Sequence, residues 1–88
     1  MSAFTTPATH GAIDTRMASR AQALRDDAAE IAHRIGQTPV HQHALVQGLI
    51  REHQGLLLRA IAADQIAAGN LTLARTYIAT AKWAEAYP

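Results

Sequence analysis

Acid–base or metal chemistry in this 88-residue chain would rest mainly on five histidines, eight basic and seven acidic residues, and their spacing limits what they can do. Glu30 and His33 have the Glu-x-x-His spacing of di-iron helical bundles, which puts both on one side of a helix. That architecture also needs a second Glu-x-x-His, which the chain does not supply. Surface exposure, with a Glu30 to Arg34 ion pair one turn apart, is the expectation. His41 and His43 are two apart, so a regular helix points them about 160° from each other and away from any shared ion. His53 and Asp64 stand near the middle of an apolar arc. Both are therefore expected to be buried polar groups, the imidazole hydrogen-bonded and the carboxylate paired.

There is no Cys, hence no thiolate nucleophile, disulfide or thiolate-ligated metal. No glycine-rich phosphate loop, nucleophile elbow or paired carboxylates at a cleft is present. The expectation is a non-enzymatic protein with no cofactor and no metal. The formal net charge is +1, and Arg16, Arg20, Arg25 and Arg34 are balanced by Asp14, Asp26, Asp27 and Glu30. No basic stripe forms, so nucleic acid is an unfavoured partner. The stretch "IGQTPVHQHALVQGLIREH" still resembles a turn leading into a recognition helix, and a small helical nucleic-acid-binding regulator is the alternative reading. The N-terminus lacks the basic and apolar regions of a secretory signal, and the apolar runs are far too short for a membrane span. A soluble, cytoplasmic protein is expected, and the Ala and Arg usage suggests a bacterial or phage source.

The elements that position these residues follow from periodicity and breakers. Residues 1–12 have Thr, Ser, Pro and Gly without periodicity and read as a mobile tail, from which only Phe4 could dock. Residues 13–88 read as a single helical domain. Met17, Ala21, Leu24, Ala28, Ile31 and Ile35 alternate in steps of four and three, the seam of a helix over about residues 14–35. Gly36 is expected as its left-handed cap, Thr38 as the next N-cap and Pro39 as a first helical residue. A long second helix over 39–68 ends at Gly69, and a third, opened by Asn70, covers 71–86. No segment shows strand alternation. The fold expected is all-α, an antiparallel three-helix bundle whose long middle helix touches both others. Twenty of the residues are Ala and four are aromatic, so the helices should pack through small side chains.

Three faces stand out. On the second helix Leu45, Val46, Leu49, Ile50, Leu56, Leu57, Ala60, Ile61, Ala63, Ala67 and Ala68 fall on one arc of about 160°, the expected core face. On its opposite side Gly48, Gly55, Ala62 and Ile66 are nearly in line, a candidate seam for close approach of a second copy in a homodimer. On the third helix Leu71, Ala74, Tyr77, Ile78, Ala81 and Ala84 face inward. Trp83 projects outward with Thr72, Thr76, Thr80 and Tyr87, on a strip with charge only at its margin, Arg75. An uncharged surface holding Trp and Tyr has the composition of an interface hot spot, which makes it the leading partner-binding candidate.

At "GNLTLARTYIATA" the chain resembles the second half of a tetratricopeptide repeat. Gly69-Asn70-Leu71 stands at the turn, and Ala74, Ile78 and Ala81 at the small, large and small positions of the second helix. The resemblance covers about residues 56–88. Leu58, Ile61 and Ala62 fall on first-helix positions, whereas Gln65 and Asp64 depart from the aromatic and small residues of the pattern. There is no second copy at the family's period. The resemblance implies one αα-hairpin and a surface for another protein. Together these features predict a small interaction module: an adaptor, a secretion-type co-chaperone or a phage or bacterial inhibitor.

Overall fold

The computed structural model describes the backbone from Ser2 to Ala86 and the side chains from Thr15 to Ala86. Three helices form: α1 (Ser2–Gln37), α2 (His43–Ala67) and α3 (Leu71–Ala86). The all-α three-helix architecture matches the sequence expectation. α1 takes in residues 2–12, read from sequence as a tail. Apolar periodicity marks where a helix packs, and hydrogen bonding can run on beyond it. Phe4 and Tyr87 lie outside the residues whose side chains are described.

The two connections are built differently. Gly69 adopts φ 84°, the left-handed conformation that glycine reaches without a Cβ clash. Its N–H donates to the Ile66 carbonyl at 3.0 Å and the Asn70 N–H to the Gln65 carbonyl at 2.8 Å, a Schellman closure of α2. The Asn70 carbonyl then accepts the Ala74 N–H at 3.0 Å, the first bond of α3. Its side-chain amide turns back to donate to Gln65 Oε1 at 2.9 Å.

At the first connection three expectations are corrected. Gly36 stays within α1 and is not left-handed. Thr38 is not an N-cap: its hydroxyl donates to the Arg34 carbonyl at 2.7 Å and its N–H to the Ile35 carbonyl at 3.2 Å, so it closes α1. Pro39 is outside α2 and opens a turn sealed by the Gln42 N–H on its carbonyl at 3.0 Å. The residue before a proline is disfavoured in the helical region, which separates the end of α1 from the start of α2. α2 begins at His43 with no side-chain cap bond from Gln42.

α1 and α3 both pack on α2 and do not pack on each other. The Cα extents are 63 × 22 × 9 Å, so the antiparallel helices lie side by side in a layer one helix thick. Every buried apolar residue among those described is Ala except Ile31. On α1 these are Ala21, Ala28 and Ile31, three members of the predicted seam; Met17, Leu24 and Ile35 are half-buried. On α2 they are Ala60, Ala62 and Ala63, and on α3 Ala74 and Ala81. Small side chains let helix axes approach closely, and the stabilisation comes from extended backbone-to-backbone contact instead of a few large side chains.

That arrangement corrects the single broad core face expected on α2. With neighbours on two opposite sides, the buried positions split into two narrow stripes. Leu57 and Ile61, members of the expected arc, are exposed between them, and Leu45 is exposed beside the C-terminal end of α1, near Arg34, Gln37 and Thr38.

Candidate interaction surface and the contacts that frame it

The outer side of α3 is set by the register of Ala74 and Ala81, which are buried seven residues apart and turn the opposite side to solvent. Trp83 lies there, 64% exposed. Thr76, Ala79, Thr80 and Trp83 line one shallow depression. The Thr76 hydroxyl donates to the Thr72 carbonyl at 3.2 Å and the Thr80 hydroxyl to the Thr76 carbonyl at 2.9 Å. Hydroxyls bonded back to the preceding turn leave their methyl groups as the outward surface. The strip is consequently more apolar than its composition suggests: methyls of Thr and Ala beside an indole. A partner covering it would not have to strip water from free hydroxyls.

The candidate homodimer seam has another occupant. Gly55 and Ala62 are buried, and a Cβ at Gly55 would run into the side chain of Glu85 on α3. The small residues therefore serve the chain's own third helix. Gly48 faces open space beyond that contact, and Ile66 is half-buried in a small trough with Met17, Leu24 and Ile78.

Over Gly55 the Glu85 carboxylate receives both arms of a guanidinium. Arg59 Nε donates to Oε2 at 2.9 Å and Nη2 to Oε1 at 2.8 Å. The hydrogen bonds from Arg59, reinforced by its charge and opposed by a little desolvation, hold the Glu85 carboxyl below the usual carboxylate range. The same bonds raise the Arg59 pKa. A bidentate pair adds geometric specificity that a point charge would not. Sequence reasoning missed this clamp. The available signal was Gly55 one turn before Arg59, a vacancy beside a fork donor.

His53 and Asp64 are not buried. Both are partly exposed, and no polar residue among those described is buried. Asp64 Oδ2 accepts from Arg25 Nη1 of α1 at 2.9 Å, with the side chains 46% and 41% exposed. Arg25 is held in turn by Gln22 Oε1, at 3.2 Å from Nη2, and Gln22 donates to Asp26 Oδ1 at 2.8 Å. The polar residues of the expected core arc thus lie along the rim of a flat interface, since a layer this thin has no interior to bury them. Glu30, His33 and Arg34 are exposed, and the expected Glu30 to Arg34 ion pair is not made. Among the described residues no group of three or more His, Asp or Glu could hold a metal ion, and no helix is long and apolar enough to cross a membrane.

Compared with protein-family models, with curated proteins and with solved structures, the chain matches none, so the geometry of its own surfaces carries the functional reading.

Proposed function

We propose that this protein is a small non-enzymatic interaction module that binds another protein through the outer side of α3, acting in the cytoplasm as an adaptor, co-chaperone-like factor or inhibitor. The observation that supports the reading is Trp83, 64% exposed on a strip whose Thr76 and Thr80 hydroxyls are already bonded within the helix. Partially exposed indoles surrounded by water-excluding neutral contacts are where binding energy concentrates, and truncating such an anchor typically costs about 2 kcal/mol or more. The strip carries no charge of its own, so association through it would depend little on salt, unlike a phosphate-binding surface.

The test is affinity capture with tagged wild type and Trp83→Ala from cells that naturally express the chain, followed by titration of the captured protein. The expected result is one or more proteins retained by wild type and lost from Trp83→Ala, with affinity weakened roughly 30-fold or more. Equal retention by both would dismiss this surface as the binding site.

A further inference from the structure

We infer that a second copy of this chain docks face to face on the layer, over the stripe formed by Ile50, Leu57 and Ile61 of α2. The two broad faces of the layer differ. One carries the trough of Met17, Leu24, Ile66 and Ile78, bordered by Arg20 and Arg59, and continues past Arg51, Glu52 and Glu85. On the other face Ile50, Gln54, Leu57, Ile61 and Gln65 follow one another in steps of four and three, a seam that stays on one side of a helix. Leu57 and Ile61 are each 38% exposed.

α3 extends this second face. Ala74 and Ala81 point to α2, and Ile78 and Glu85 line the charged side. Leu73 and Tyr77 therefore take the opposite side by helical geometry, and Leu73 is 44% exposed. Along α2 from Ile50 to Ala68 the charge bordering this face is Asp64, paired with Arg25 of α1, and Gln22 and Asp26 continue that rim on α1. Only residues at a twofold axis meet their own copies, where a charge would repel itself, so the uncharged run of Ile50, Leu57 and Ile61 is the stretch on which an axis can sit.

Area points to the same occupant. A layer one helix thick has no second layer to cover the broad faces of α2. The length of α2 across the 22 Å width of the layer offers a footprint of roughly 800 Å², the area each partner contributes to a stable interface. Two layers stacked this way would enclose the large side chains that a single layer leaves uncovered. The inference is independent of the outer side of α3, which points sideways from the stack.

Sedimentation equilibrium from low to high micromolar concentration tests it, with wild type, Leu57→Glu/Ile61→Glu and Trp83→Ala, and helicity followed by circular dichroism. Wild type and Trp83→Ala are expected at twice the chain mass, and the double variant at the monomer mass with its helices kept. A monomeric wild type at high micromolar concentration overturns the inference, as does a double variant that still dimerises with wild-type affinity. If the double variant loses its helices, Ile61→Gln decides: a dimer weakened severalfold supports the seam, and an unchanged dissociation constant overturns it.

Discussion

α2 is held on both sides by alanine, yet its two interfaces are organised on different lines. Against α1 the contact is a seam of Ala21, Ala28 and Ile31, finished at the rim by Arg25 on Asp64. Against α3 it is shorter and more closely fitted, with Ala74 and Ala81 facing the stripe of Gly55 and Ala62, and Glu85 folded over the glycine onto Arg59. The connections differ in the same sense. The α2–α3 turn is a bonded Schellman closure around one left-handed glycine, whereas the α1–α2 link is a separate proline turn followed by an uncapped helix start. The hairpin of α2 and α3 is fixed by local chemistry at its closed end and a charge clamp at its open end. α1 is joined mainly by length.

The largest effects should come from overfilling each seam in turn. Ala21 and Ala81 have no exposed surface, so Ala21→Leu and Ala81→Leu should each cost about 1–3 kcal/mol. Because α1 and α3 pack on α2 and their backbones do not pack on each other, the double variant should cost the sum of the singles to within about 0.5 kcal/mol. Urea denaturation of all three variants checks this, and strong coupling would mean that the interfaces are not separate.

The contrast between the connections is sharpened by two glycine substitutions of opposite sign. Gly69→Ala must hold an L-residue at positive φ and should destabilise by about 1 kcal/mol. Gly36 is helical with open space where a Cβ would stand, and Gly36→Ala should stabilise by up to about 1 kcal/mol. Thermal melts of the pair would refute the assignment of the two turns if both shifts had the same sign.

The smallest effect belongs to the clamp. Glu85 has its pKa lowered in the folded chain, so its contribution is present above the unfolded carboxylate value and is lost as pH falls through the lower folded value. At neutral pH Glu85→Gln should cost about 0.2–1 kcal/mol, a modest amount because the pair is over one-third exposed to solvent screening. Below the folded value wild type and variant should converge. Parallel denaturation at neutral and acidic pH measures the gap, and a gap that persists in acid would assign it to packing over Gly55 instead.

Much of the fold was legible along the chain, and the reasons are local. The steps of four and three from Met17 to Ile35 located the packed side of α1, and Gly69-Asn70 located the closed end of the hairpin because positive φ has a strong residue preference. Gly36-Gln37-Thr38-Pro39 misled for a related reason. The same residue types that cap helices also serve in turns, and which carbonyl the Thr38 hydroxyl meets depends on where α1 stops.

By itself the sequence determined three helices, their small-residue stripes and which residues share a side of α3 with Trp83, since each follows from periodicity within one segment; that this side faces outward came from the packing of α3 on α2. The tertiary structure decided which stripe meets which neighbour. Periodicity says which residues share a side of a helix and is silent about what lies across from it. Only once α1 and α3 settled on opposite sides of α2 did the Gly55 and Ala62 stripe become an internal contact, His53 and Asp64 fall at a rim, and Leu57 and Ile61 remain uncovered on a face between.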